Sequence, residues 1–534
     1  MKQLRKRKKR TATGCDGISY AMIRHAPLFV REALLRLYND MWSKGIQPAA
    51  HKMAMIITIL KKGKPDDDPA SYRPISLTSH LGKLFEAMVT FRLRNELEKR
   101  RIISRTNSGF RNRKEVLDQL VRLDRTVRNN ADDGDYGRMT GVVTLDVKAA
   151  FDTADHVTIL SCLDKCKIGG NMYNFCRNFL SDRAFRVRVG NSLSTVGNPE
   201  NGVPQGSVLS PTLFLLSINK ISEAIDDPDV EVLCYADDTA IVFSIRKCKA
   251  GDNESFYRKC EKWMSDKTNK IVEALQKAGY RVNTEKTQAI IFNNQRGLKG
   301  STRRSIRKRI AKDVRGAGTK PTEWTLNIGG SVIKTQPEVL YLGVIFDTYL
   351  TFETHLKTRR NSALGALNVL KKVKGMGGFG KDPHLLKCIS KGLLESKLHY
   401  GAEIMGGCDK TELAKNDALI YKARNLIAGS IVGTRKEAVD IFLGELSPAS
   451  TREMLKMRYL ARKLTSDNNI VTDFLEGENY IKNCNRNYMT VTRGGAKVRE
   501  ITSVGGIFRD TEAKWKNLGL HNPGIATKIC TYDN

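Results

Sequence analysis

The sequence predicts an α+β fold, and three observations carry that expectation. Short apolar runs with strand character alternate with longer segments of helical periodicity. One apolar run, "GVVTLDV", is continuous and not alternating, as in a strand covered on both faces. Beyond about residue 353 the pattern turns helical, with no second strand-rich region expected. A length of 534 residues with 40% hydrophobic content is ample for a core and too long for one compact domain, so two or three subdomains are expected.

Taken in order, residues 17–60 open with a helical stretch, "VREALLRLYNDMW", followed by a strand, "MAMIITIL". "KKGKPDDDPASYRP" reads as a loop and "LGKLFEAMVTFRLRNELEKR" as a helix. "GVVTLDV" is a strand and "TADHVTILSCL" a helix. "RAFRVRVGNSLSTV" alternates around Gly190-Asn191, the pattern of a hairpin. "SPTLFLLSINKISEAI" reads as a helix with Ser210 as N-cap and Pro211 in its first turn. "VEVLCYADDTAIVF" is two strands around a tight turn. "ESFYRKCEKWMSDKTNKIVEALQKAG" is a long amphipathic helix closed by Gly279, and "KTQAIIF" a strand. The expected core is one mostly antiparallel sheet with helices. No internal repeat is visible.

Lys and Arg number 90 against 57 acids, a formal charge of +33. A polyanionic partner explains clustered basic residues better than general solubility does, because each phosphate neutralised releases counterions. The basic clusters include "MKQLRKRKKR" at the start and "GLKGSTRRSIRKRIAKDVRG" at 297–316. The first reads equally as a nuclear localisation signal, a nucleic-acid arm, or the cut end of a longer chain. The 11 cysteines show no CxxC pair and no zinc-knuckle spacing, so free thiols and an intracellular setting are expected. No apolar run reaches about 18 residues, so no membrane span is expected.

Asp237 and Asp238 are adjacent acids in a tight turn, where like charges repel. Carboxylates that close raise each other's pKa unless a cation neutralises them, and hard oxygen ligands suit Mg²⁺. Asp146 ends a second buried strand, so two neighbouring strands would bring three carboxylates to one sheet edge. Alone, each of these acids would pass for a turn residue. "NGVPQGSVLSPTLF" adds a glycine-containing loop feeding a helix. Its glycines allow close backbone approach, and the helix N-terminus favours a phosphate or sugar oxygen. Gln205 there is a neutral group able to touch a sugar or base edge.

With these residues in view, "LDVKAAFD", "GVPQGSVLSPTLF", "CYADD", "VNTEKTQAIIF" and "YLGVIFD" follow one another as in a known family. The chain resembles the reverse transcriptases of non-LTR (LINE-type) retrotransposons, the jockey-like kind in particular. "TGCDGIS", "KKGKPDDDPASYRPISL" and "SGFR" look like that family's fingers motifs, and "KLHYGAEI" and "YKARNLIAGS" like its thumb. The resemblance covers roughly residues 11–450.

The resemblance implies a right-hand polymerase: a basic N-terminal arm over 1–16, fingers over 17–138, palm over 139–350, a helical thumb over 351–450, and a C-terminal region, 451–534, without an assigned role. It implies that Asp146, Asp237 and Asp238 hold two Mg²⁺ ions, or Mn²⁺ in their place, with the Val147 carbonyl completing the set and Asp238 more peripheral. Phe151 falls at the family's aromatic gate under the sugar. Lys61 and Arg73 match fingers cations that grip the triphosphate, Gln205 matches the residue that positions the incoming nucleotide, and Lys286 matches a proton donor to pyrophosphate. The implied partners are an RNA template, a DNA primer or target and dNTPs, in a nuclear or cytoplasmic ribonucleoprotein, by target-primed reverse transcription. An inactive copy that only binds RNA, another palm polymerase such as an RNA-dependent RNA polymerase, and an intron-maturase-type enzyme are the alternatives. Two positions depart from the family: Asn107 stands where Gln is common, weakening the expected template grip, and His51 replaces a common Trp. No endonuclease is visible, which fits either a fragment or a stand-alone polymerase.

Overall fold

The computed structural model describes residues 2–7, 11–132, 138–246, 254–292, 323–376, 382–431, 433–464, 488–493 and 496–501. The basic stretch 297–316 and most of the C-terminal region lie outside these residues.

Ten strands frame the first two-thirds of the described chain: β1 (Met53–Leu60), β2 (Tyr72–Thr78), β3 (Arg138–Leu145), β4 (Val147–Lys148), β5 (Ala184–Val189), β6 (Ser192–Leu193), β7 (Val230–Tyr235), β8 (Asp238–Arg246), β9 (Arg281–Val282) and β10 (Gln288–Phe292). The α+β class holds, but the expected single sheet is two four-stranded ones, ordered β2-β1-β5-β6 and β10-β3-β8-β7. The second is antiparallel throughout. In the first, β5 pairs in parallel with β1, so the hairpin lies in the sheet of the N-terminal region although it falls within the span expected to be palm. β2 was expected to be loop at its start. Pro74, which cannot donate to a ladder, is tolerated there because β2 is an edge strand.

The apolar runs of β3 and β8 are explained by burial on both faces of the second sheet. Val143 and Leu145 of β3 and Ile241 and Phe243 of β8 join a core with Leu93, Phe175, Phe214, Met264 and Tyr280. Their neighbours Val142, Ala240 and Val242 point the other way, into a second core with Leu123, Phe292, Phe346, Phe352 and Tyr459. A strand with partners above and below has no use for the polar alternation of a half-exposed sheet.

Helices begin where side chains can take up free amides. Ser79 caps His80–Lys99 through the Gly82 amide, and Asp155 caps His156–Lys165 through the Thr158 amide at 2.7 Å. Partial burial opposes ionisation of Asp155, but bonds from the hydroxyl and amide of Thr158 outweigh it and hold the carboxyl below its usual range. A depressed folded pKa adds stability above the unfolded value and loses it as the pH falls through the folded one. Asp155→Ala is therefore expected to cost about 1 kcal/mol at pH 7, with the gap from wild type closing as the pH falls below the ordinary carboxylate range. Urea melts across pH check it.

Ser210 is not the cap expected for the next helix, Ser210–Ile218; it is the first helical residue. Ser207, one turn earlier, accepts from the Ser210 amide at 3.0 Å. That helix also gives way to a 3₁₀ turn, Asn219–Glu223, sooner than the sequence suggested.

From Glu353 the chain is helical as expected, and a third core forms among Ala363, Leu367, Leu398, Leu419, Ile420 and Leu443. Buried Arg424 is held there between Asp440 (2.7 Å) and Glu395 (3.2 Å). A hairpin, Tyr488–Arg493 with Ala496–Ile501, was not expected, although Gly494-Gly495 between β-branched runs is a hairpin signal. Cys15, Cys176, Cys234, Cys388 and Cys408 stand as free thiols, as expected, and burial pushes Cys176 and Cys234 up to about 12. Among the described residues no helix is long and apolar enough to cross a membrane.

Candidate active site

β7 and β8 meet through a two-residue turn, Ala236-Asp237, with Tyr235 paired to Asp238. Ala236 turns the chain at φ +57, a left-handed conformation that costs an L-residue about 1–2 kcal/mol. On the other side of β8, Leu145 pairs with Thr239. Asp146 follows Leu145 directly, and its carboxylate acts on those of both Asp237 and Asp238. The ends of three adjacent strands thus present Asp146, Asp237 and Asp238 at one edge of the sheet.

Electrostatics agree with this placement. Loss of surrounding water first, then the Asp237 and Asp146 carboxylates, push Asp238 up to about 6. Asp237 is raised by partial desolvation and by Asp146, with Arg73 working in the opposite direction. Both residues nonetheless keep over a third of their surface open to solvent, so the three carboxylates gather at an open edge and not in a sealed core. Repulsion of this kind is what a hard cation relieves, and all three donors are oxygens suited to Mg²⁺ or Mn²⁺. As the side chains stand, no three His, Cys, Asp or Glu residues among those described are gathered around one point. Asp146 has partners of its own. Its Oδ2 lies 3.3 Å from the Lys286 ammonium and accepts from Asn283 Nδ2 at 3.3 Å. The chain's own cation engages the carboxylate that the other two face.

The remaining residues singled out from the sequence fall around this edge. Val147 follows Asp146 and pairs with Val282 in the short β4–β9 ladder. Arg73, exposed on β2, bears on Asp237. Lys61 donates to the Ala70 carbonyl at 2.8 Å, within its own loop, and its charge acts on Asp152. Phe151 lies in the turn before the Asp155 cap, half-buried, and its carbonyl accepts from the Val203 amide at 2.7 Å. The Gln205 carbonyl accepts from the Ser76 amide at 2.8 Å, which ties the Gln205 loop to β2 three residues from Arg73.

The glycines of that loop do allow close approach, but to other parts of the chain. A Cβ on Gly202 would stand 2.6 Å from the Asp152 carbonyl, and one on Gly206 2.6 Å from the Ser76 carbonyl. Nor is the following helix start open to a phosphate. The Val208 amide donates to the buried Glu86 carboxylate at 2.8 Å, and Ser207 serves the Ser210 amide.

Sequence reading missed the support behind the acidic turn. The loop of residues 106–109 meets β7 in an isolated parallel bridge between Asn107 and Cys234: the Ser108 amide donates to the Cys234 carbonyl (2.9 Å) and the Cys234 amide to the Thr106 carbonyl (3.1 Å). Gln119, buried in the first turn of the helix Val116–Asp132, donates to Thr106 O (2.8 Å), Ser108 Oγ (2.8 Å) and Cys234 O (3.1 Å). Arg111 grips Glu98 with two nitrogens and the Ser104 and Asn107 carbonyls with the third. Asn107 is buried, its Oδ1 accepting from the Gly109 amide at 3.3 Å, so it shapes this loop instead of facing a template. His51 is likewise buried, packed against Gly82.

Comparison with known proteins matches residues 59–346, more than half of the chain, to the reverse transcriptase (RNA-dependent DNA polymerase) family. A probable RNA-directed DNA polymerase from transposon BS of Drosophila melanogaster is 30% identical over 65% of this chain and 35% of its own length. The RNA-directed DNA polymerase from mobile element jockey of the same species is 27% identical over 78% of this chain and 42% of its own. The chain thus spans well under half the length of these curated relatives. A Candida albicans telomerase structure is similar at a TM-score of 0.39 and 13% identity, over 79% of this chain and 69% of that one, too loose a likeness to carry an argument. The kinship expected from the motifs holds: the chain belongs to the reverse transcriptase family, with relatives among non-LTR retrotransposons of the jockey type.

Proposed function

We propose that this chain carries out RNA-directed DNA synthesis, joining dNTPs to a primer 3′-hydroxyl on an RNA template. The observation that carries the reading is the meeting of Asp146 with the Asp237-Asp238 turn at the end of a buried antiparallel sheet, in a chain of this family.

Asp146, Asp237 and Asp238, with the Val147 carbonyl, would hold divalent ions, two Mg²⁺ or Mn²⁺, as family membership suggests. Bound there, such ions polarise the attacking hydroxyl and neutralise the triphosphate. Asp146 then has to give up its contact with Lys286, whose ammonium becomes available to donate a proton to the departing pyrophosphate. Arg73 and Lys61 approach from the first sheet, and their charges suit the β- and γ-phosphates; an arginine fork can take two oxygens at once. Gln205, on a loop bonded to β2, would orient the nucleotide. The Phe151 ring would lie under the sugar and leave no room for a 2′-hydroxyl.

In this reading residues 17–138 together with the β5–β6 hairpin form the fingers, the sheet of β3, β7, β8 and β10 is the palm within 139–350, and the helices of 351–450 the thumb. The 1–16 arm and the basic 297–316 stretch supply phosphate contacts. The partners are element RNA and a DNA primer or nicked target, and the setting is a nuclear or cytoplasmic ribonucleoprotein.

Extension of a DNA primer on an RNA template with dNTPs and Mg²⁺ or Mn²⁺ is the expected result. It should stop on chelation. Binding of RNA that weakens with salt, with no extension under either ion, would defeat this reading in favour of an RNA-binding role alone.

A further inference from the structure

Phe151 is held by two other rings. Phe214, fully buried, stacks on it at a centroid distance of 5.0 Å and 17° between planes. Phe110 meets it edge-on, at 5.9 Å and 86°. The two supports differ in kind. Phe214 sits within the helix Ser210–Ile218 and rests in turn on Tyr280. Phe110 is half-buried and belongs to the loop that runs beside β7.

The backbone of Phe110 is at φ +56. For a bulky side chain this is a genuine outlier, kept only where the surroundings impose it. Here they do. On one side Gly109 is pressed against Ala236, where a Cβ would stand 2.2 Å from the amide nitrogen. On the other, Arg111 is fixed to Glu98 and to the Ser104 and Asn107 carbonyls. A strained residue between two fixed neighbours directs its ring onto Phe151.

We propose that Phe110 is a positioning residue for sugar selection: its edge contact decides how strictly Phe151 excludes a 2′-hydroxyl. The inference deepens the polymerase reading above and rests on it. A gate that must reject one hydroxyl works only if its ring cannot shift aside. Stacking on Phe214 resists tilting but allows sliding in the plane of contact, and a ring edge set at right angles closes that route.

The test is the ratio of kcat/KM for UTP to that for dTTP, on one RNA template and DNA primer. Wild type is compared with Phe110→Ala, Phe110→Leu, Phe110→Tyr and Phe151→Val. Phe110→Ala is expected to raise the ratio about five- to tenfold, in proportion to the loss of an edge-to-face pair, and Phe110→Tyr to leave it within about twofold. A residue that merely stabilised the loop would lower both efficiencies together and leave the ratio where it was. If Phe110→Ala does not fold, Phe110→Leu provides the same reading. A ratio unmoved in both, while Phe151→Val raises it, overturns the role of Phe110 alone. A ratio unmoved in Phe151→Val as well overturns the gate assignment, and the inference with it.

Discussion

Asp237→Asn is expected to lower primer extension by about 10³-fold or more, since in the proposed reading its carboxylate would hold the metal charge that supplies several kcal/mol to the transition state. The substitution is nearly isosteric and falls in a solvent-open turn, so little packing is lost. Removing one of the clustered charges also relieves a cause of the rise in Asp238, which should move down toward its ordinary value. Thermal stability is therefore expected to hold or rise slightly while chemistry is lost, and RNA binding at fixed salt should not change. Single-turnover extension beside a melting curve separates these effects. Activity within tenfold of wild type would remove Asp237 from the chemistry. Asp146→Asn makes a useful companion. It abolishes the ion pair with Lys286, but those side chains are 36% and 64% exposed, and pairs so open to water contribute little to stability.

What could be read in the sequence, and what could not, divides by the range of the interactions. The strand β3 was legible because two-sided burial writes itself as an unbroken apolar run, and β7 and β8 because a tight turn parts two apolar runs. The nearness of Asp146 to Asp237 and Asp238 could be expected because such runs seldom end in Asp without a reason. Gly279 as a helix end was a local signal, and it held; the Asp155 cap was there to be read one residue before its helix. Ser210 fell inside the helix, with Leu209 at its N-cap position, because the start turned on where the preceding loop was pinned, and Glu86, far away in sequence, does part of that pinning. The β5–β6 hairpin was recognised as a hairpin, yet nothing within it says that its partner is β1, more than a hundred residues earlier. Gly202 and Gly206 were seen as points of close approach, while the groups they approach, Asp152 and Ser76, belong to other elements. Gln119 carried no signal at all. A glutamine on an amphipathic helix is usually solvated, and only the folded chain places it under Cys234.

Gly109→Ala is expected to be as damaging to activity as the loss of many direct contacts, about 10²-fold or more, because reacting groups shifted by an ångström lose that much. Gly109 bears no functional group. Its importance is that its Cα faces the backbone of the acidic turn: an added Cβ would stand 2.2 Å from the Ala236 nitrogen and 2.9 Å from its Cα. Neither neighbour is a flexible side chain. Ala236 already holds a left-handed conformation, Asp237 follows it directly, and the loop on the other side is tied down by Ser108, Gln119 and Arg111. Either the loop or the turn must move. Overpacking at such a contact costs about 1–3 kcal/mol, so the variant should fold with a lowered melting temperature. Gly365→Ala provides the opposite case. It lies inside the helix Glu353–Gly375 with nothing within 4 Å of an added Cβ, and should gain about 0.5–1 kcal/mol with no effect on extension. Chemical denaturation and extension rates measured on both variants decide the matter. If Gly109→Ala melted and polymerised like wild type, the loop would be free to retreat, and the acidic turn would owe its shape to β7 and β8 alone.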